Sequence, residues 1–277
     1  MAGVFEEPKI DTHCHVLDPA RWPYPPEVPY HPSGPEIAPL EQYLQVMDAY
    51  AIEQALLVGP NSGYATDNRC LLDALERGSG RFKGVAVVPL DTGRAALVEL
   101  QARGVIGIAF NAALLGTDGY AGTAPLLRRL AELEMLLSLQ VQADQMVVMR
   151  PLVEQSGVRV LVDHCGRPSA TAPGGIEQPG FQALLAMAQT GRVAVKLSGL
   201  QKFSAAGPPF DDTRPYLQAL LQAYTLDACL WASDWPFLRA SQRLDVGPLL
   251  RGIERLLPLA ADRRRLFRDT PQRWLGF

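Results

Sequence analysis

The chain has 277 residues, 48% of them apolar, and a net charge of −3. That length suits one large domain with a sizeable core, and so small a charge gives no electrostatic case for nucleic acid or an anionic membrane as a partner. No apolar run reaches the roughly 18 residues needed to span a bilayer, and the opening Met-Ala-Gly-Val-Phe-Glu-Glu-Pro lacks the basic start and apolar stretch of a secretory leader; the expectation is a soluble cytoplasmic protein.

A first strand is expected over residues 9–15, ending in Asp11-Thr12-His13-Cys14-His15. Alternate side chains on a strand share a face, so His13 and His15 point one way and Cys14 the other. A pair spaced like this can hold a divalent metal, or it can be two buried, hydrogen-bonded imidazoles. Cys14, Cys70, Cys165 and Cys229 show no CxxC pairing and read as reduced core thiols. Residues 18–39 follow as a proline-rich loop with Tyr24, Tyr30 and His31. A stiff aromatic loop of this length in a compact domain is more often functional than disordered.

Beyond it, apolar runs at 54–58, 82–88, 105–110, 136–141, 158–164, 193–197 and 229–233 alternate with helical spacing, as at 40–50, 68–77, 95–103, 124–133, 181–189 and 216–224. Runs such as Ala55-Leu56-Leu57-Val58 are nearly continuously apolar, as parallel strands covered by helices are. Gly78, Gly104, Gly157 and Gly191 stand where helices should stop. Eight such units predict one α/β domain over residues 1–277, a (β/α)8 TIM barrel. No GxGxxG or GxxxxGK[ST] loop follows a strand, which counts against an open nucleotide-binding sheet. Residues 246–257 and 261–275 read as two closing helices, the second amphipathic through Leu266, Phe267, Trp274 and Leu275.

In such a barrel the chemistry gathers where the strands end. Three of the four histidines fall at predicted strand ends: His13, His15, and His164 in Val162-Asp163-His164-Cys165-Gly166-Arg167-Pro168. The eighth strand runs Cys229-Leu230-Trp231-Ala232-Ser233 into Asp234-Trp235-Pro236. A carboxylate buried there is costly unless it is paired or bound to a metal.

These three stretches resemble the motifs of the amidohydrolase superfamily, and more narrowly its lactone-hydrolysing branch of pyrone dicarboxylate and sugar lactonases. Trp22-Pro23-Tyr24-Pro25, Thr66-Asp67-Asn68, Val195-Lys196-Leu197-Ser198-Gly199 and the closing Trp274-Leu275-Gly276-Phe277 extend the likeness over the whole chain, in order. The resemblance implies a hydrolase in which Asp234 is the general base and His13, His15 and His164 surround the electrophilic carbonyl. It implies Tyr30, Ser62, Gln140, Arg167 and Lys202 as residues that line the substrate pocket, and a small lactone as the partner. A metal-dependent decarboxylase of the same superfamily and a non-catalytic small-molecule-binding barrel are the alternatives.

The departures from that pattern shape two further expectations. Strand four, Val105-Ile106-Gly107-Ile108-Ala109-Phe110, lacks the superfamily's bridging lysine or glutamate, and residues 136–144 contain no histidine. A two-metal centre is therefore not expected; His13, His15 and Asp234 leave room for none or one divalent ion, zinc being the best match. Ala109 and Leu115 replace the arginines that pyrone dicarboxylate lactonases carry, which points to a substrate with at most one carboxylate unless Arg21 or Arg69 reaches the pocket.

Overall fold

The computed structural model describes residues 3–28, 30–61 and 63–277. Eight parallel strands follow one another in a single sheet, each hydrogen-bonded to the next in chain order. They are β1 (Lys9–Cys14), β2 (Ile52–Val58), β3 (Phe82–Ala86), β4 (Val105–Asn111), β5 (Leu136–Gln140), β6 (Arg159–Val162), β7 (Val193–Leu197) and β8 (Cys229–Trp231). The sheet curls until its two ends meet. Asp234 N donates to His13 O and His15 N to Trp235 O, both at 2.9 Å, so β8 lies against β1 and the (β/α)8 barrel closes. Among the described residues no helix is long and apolar enough to cross a membrane.

Two apolar clusters follow from strand alternation. Residues on the outward face, such as Val160, Val162, Val193, Val195 and Cys229, join a large cluster with Leu97, Leu126 and Leu220 of the surrounding helices. Residues on the inward face, including Ile10, Leu56, Val85, Leu161, Ala194 and Leu230, form a second cluster that Trp274 and Leu275 cover. Burying an aliphatic side chain contributes roughly 1.5–3 kcal/mol, so these two layers supply the rigidity on which the polar end of the barrel is built. All four cysteines are buried and unpaired. Cys14 packs in the outer cluster, away from the histidines, as alternation requires.

Several predicted elements end differently; β3, expected to 88, stops at Ala86. The runs expected to 164 and 233 stop as strands at Val162 and Trp231, because His164, Cys165, Arg167 and Asp234 all have positive φ and turn the chain sharply. The expected helix 261–275 is divided into Ala260–Arg264, a π-helical turn Arg265–Asp269 and Thr270–Leu275. Pro271 has no N–H and its ring clashes with a regular preceding turn, so the helix widens just before it.

The seam is pinned by Asp11. Its carboxylate is fully buried and accepts four hydrogen bonds: from His13 N at 3.1 Å, Ser233 N at 2.9 Å, Tyr43 Oη at 2.8 Å and Ser233 Oγ. Removing it leaves four buried donors without their acceptor, each worth about 1–3 kcal/mol. We expect Asp11→Ala to lose at least about 3 kcal/mol of stability in urea unfolding. A loss under 1 kcal/mol would show that the seam does not depend on this carboxylate.

Candidate active site

A cavity of about 460 Å³ opens at the C-terminal ends of the strands, and His13, His15, His164 and Asp234 all line it. The loops after β5, β6, β7 and β8 add Gln142, Arg167, Gln201, Lys202 and Arg239. Four residues scattered from position 13 to position 234 thus converge, as expected.

Each histidine is held differently. His15 Nδ1 lies 2.7 Å from Val58 O. A carbonyl only accepts, so Nδ1 carries the proton and Nε2 is left with a lone pair. Burial pushes the His15 pKa down to about 3, so the ring is neutral. His164 sits on the tight turn after β6, with Nδ1 3.0 Å from Ser198 Oγ and Nε2 3.5 Å from Asp234 Oδ1. Burial also holds its pKa well below the ordinary histidine value. Gly199, at φ +62, makes room for that ring: a Cβ there would lie 2.5 Å from His164 Nδ1. His13 is 2% exposed, its ring centre 4.9 Å from that of His15 and 4.7 Å from that of His164.

Beneath the histidines is a polar layer that strand alternation turns inward: Ser138 on β5, Asp163 after β6 and Lys196 on β7. Lys196 Nζ lies 2.8 Å from Asp163 Oδ1, 3.2 Å from Ser138 Oγ and 3.1 Å from His13 Nδ1. Burial, the largest single influence, would raise the Asp163 carboxyl, but the Lys196 ammonium together with His13 and His164 holds the group well below the carboxylate range. Sequence reasoning passed over Lys196 and Asp163 as members of the site. The signal was present, since a lysine in an otherwise apolar strand, Val-Ala-Val-Lys-Leu, must find a buried partner.

Asp234, 1% exposed, accepts at Oδ2 from Gln201 Nε2 at 2.9 Å, and the Lys202 ammonium is ion-paired with the same oxygen at 3.0 Å. Burial, the largest single influence, pushes its carboxyl upward, yet Lys202 and the three histidines together leave it below the usual range. Oδ1 has no hydrogen-bond partner among the described residues.

The other predicted pocket residues divide. Gln140, Arg167 and Lys202 line the cavity. Arg167 Nε is buried with no partner among the described residues. Tyr30 does not line it; its hydroxyl donates to Glu36 and its ring lies under Arg239, 5.4 Å from the guanidinium. Ser62 lies outside the described residues. On the β4 side Ala109 lines the cavity, but Leu115 is 59% exposed on the helical turn Ala112–Leu115 and points away from it. Arg21 and Arg69 are paired on the surface with Asp73 and Asp67. A further cation that reaches the cavity is Arg239, from the loop after β8.

Ligand atoms of His13, His15 and Asp234 lie within 4.8 Å of one another, close enough to converge on one ion. His15 Nε2 and Asp234 Oδ1 are free to bind it. His13 is not in the matching state. A metal at Nε2 needs a lone pair there, and the ammonium beside Nδ1 opposes that tautomer, so the residues present do not fit a metal as they are hydrogen-bonded.

A family model described as Amidohydrolase matches residues 10–277. The chain is 32% identical to a 4-sulfomuconolactone hydrolase of Rhizobium radiobacter over 274 residues, covering 96% of this chain and 89% of that one. It is 27% identical to a 2-pyrone-4,6-dicarboxylate hydrolase of Comamonas testosteroni, covering 95% and 88%. A solved Pseudomonas putida structure described as a 2-pyrone-4,6-dicarboxylic acid hydrolase superposes with a TM-score of 0.84 at 32% identity, covering 98% of each chain.

The buried neutral histidines set a pH dependence. In the unfolded chain a histidine takes up a proton near pH 6.5, whereas folded His15 and His164 do not. The unfolded state therefore binds more protons as pH falls, and stability that is full above about 6.5 is lost on acidification, by up to about 1.4 kcal/mol per pH unit for each ring. Urea unfolding at pH 7, 6 and 5 should show that decline; equal stability at pH 7 and pH 5 would mean that the rings titrate freely in the fold.

Proposed function

This chain belongs to the amidohydrolase family, and on that footing we propose that it is a hydrolase that opens the ring ester of a lactone bearing an acid group. The observation that carries this reading is Asp234 Oδ1, a buried carboxylate oxygen of a cavity-lining residue, with no hydrogen-bond partner among the described residues. A buried charged acceptor left bare costs free energy unless something fills the place. Water in that position gives one proton's hydrogen bond to Asp234 Oδ1, and the lone pair of His15 Nε2 takes the other. Its own lone pair is then turned toward a carbonyl carbon bound in the cavity.

As the water oxygen bonds to that carbon, Asp234 takes the proton and the carbonyl oxygen becomes an oxyanion. His13 and His164 border the place where this charge develops and supply its contacts. Collapse of the tetrahedral adduct breaks the ring C–O bond, and the proton on Asp234 passes to the departing ring oxygen. The product is an open-chain acid with a new hydroxyl. Four residues on the chain carry this route, and no step of it passes through an ion.

The substrate's charge follows from the lining. Lys202 is already engaged by Asp234, whereas the guanidiniums of Arg167 and Arg239 meet no carboxylate among the described residues. Two unneutralised cations on one small cavity favour an anion. The substrates for which the relatives are named, a sulfonated lactone and a dicarboxylate, accord with this. The binding-barrel alternative gives Asp234 Oδ1 no task of its own, and the metal-dependent decarboxylase needs an ion that His13, as hydrogen-bonded, does not match.

A panel of neutral, mono-acid and di-acid lactones assayed by proton release tests the reading directly. We expect Asp234→Asn to fold normally and lose turnover on every lactone that the wild type opens, because asparagine cannot take the water's proton. Near-wild-type turnover by this variant removes Asp234 from the mechanism. For Arg239→Ala we expect KM to rise about tenfold for acidic lactones, the loss of roughly 1.5 kcal/mol from one charge-assisted hydrogen bond, with neutral lactones unchanged. An equal effect on neutral lactones would make Arg239 structural.

A further inference from the structure

Lys196 is a buried cation on an inward strand position that the proposed chemistry leaves without a task. Its side chain is 0% exposed, and its ammonium has three N–H groups. Three acceptors surround it within hydrogen-bonding distance: Asp163 Oδ1 at 2.8 Å, Ser138 Oγ at 3.2 Å and His13 Nδ1 at 3.1 Å. Ser138 keeps its own hydrogen for Asp163 Oδ1, which it meets at 3.0 Å. The count closes only if His13 Nδ1 accepts.

The opposite tautomer is the one that fails. With the proton on Nδ1, the ring would have to donate to Asp163 Oδ1 at 3.3 Å, beyond the usual range for N–H···O. That oxygen already takes two donors. The third N–H of Lys196 would then face another N–H in a buried site, and an unmet buried donor costs about 1–3 kcal/mol.

We propose that Lys196 is a positioning residue: by donating to His13 Nδ1 it fixes the proton on Nε2, so that His13 presents a hydrogen-bond donor to the cavity and not a metal-ligating lone pair. His15 is held the other way round by Val58 O, so the His-x-His pair, two identical side chains on one strand face, is divided into one donor and one acceptor. The acceptor meets the water; the donor meets the carbonyl oxygen. This assignment of roles rests on the hydrolase reading, but the tautomer itself does not, and it can be read without substrate.

The test is nitrogen NMR of the ¹⁵N-labelled full chain, free of added metal, with the four histidines assigned by single replacements. We expect the His13 Nδ1 resonance in the lone-pair range and Nε2 in the protonated range, with His15 reversed. A protonated Nδ1 on wild-type His13 overturns the proposal, whatever the variants do. In Lys196→Met the donor is gone, so the His13 tautomer should reverse toward Asp163 and zinc affinity, measured by titration with zinc alone, should rise at least tenfold. Lys196→Arg, which keeps donors in place, should hold the wild-type tautomer. Should Lys196→Met not fold, Lys196→Met with Asp163→Asn removes the uncompensated charge, and there too an unmoved tautomer and unchanged zinc affinity count against the idea. Loss of lactone hydrolysis with the tautomers as expected would sink the functional reading alone.

Discussion

The closure of β8 against β1 is the constraint on which everything else rests. Two backbone hydrogen bonds and the Asp11 carboxylate bring residues 11–15 against residues 233–235, across more than two hundred residues of chain. Without that seam there is no place where two histidines from the first strand and an aspartate after the last can face one molecule. The seam is also where regular strand geometry gives out: Asp234 takes a positive φ immediately after β8, which aims its carboxylate across the barrel mouth. Strain of that kind persists when its surroundings over-determine it, as the Asp11–Ser233 bonds do here.

A second dependence runs vertically through the barrel. The apolar inner layer and the C-terminal Trp274 and Leu275 fill the closed end, so the polar layer of Ser138, Asp163 and Lys196 sits in a medium where an unpaired charge would be untenable. The pair survives because Lys196 also donates to Ser138 Oγ and lies against His13 Nδ1, while Asp163 Oδ1 also accepts from Ser138 Oγ. Its electrostatic reach extends upward to His13, while Lys202 acts in the same sense on Asp234 from above. Cations thus stand on both sides of the histidine layer, and the open Oδ1 of Asp234 lies between them.

The charge of the cavity's outer wall is not set by one strand. Ala109 lines the cavity, whereas Leu115 lies outside it altogether. The compensating cation comes from neither Arg21 nor Arg69, both held by neighbouring acids, but from Arg239, whose backbone is tied to Glu36 of the long first loop. Loops after different strands meet over one mouth, so a charge removed from one can be returned by another.

The sequence by itself determined the barrel, because alternation of apolar strands with amphipathic helices is a local property that eight repeats make unambiguous. It also determined which groups stand at the C-terminal strand ends: His13, His15, His164 and Asp234 were legible as polar residues at the ends of apolar runs. What it could not determine was anything set by contact between distant elements. The inward direction of Lys196 was readable from strand parity, but its three acceptors come from strands one, five and six and exist only once the barrel closes. Tyr30 resembled a pocket residue and instead serves Glu36 and Arg239, because a loop's course depends on what it packs against. Only the tertiary structure decided which histidine donates and which accepts, since a hydrogen bond's direction is fixed by the partner and the partner is fixed by the fold.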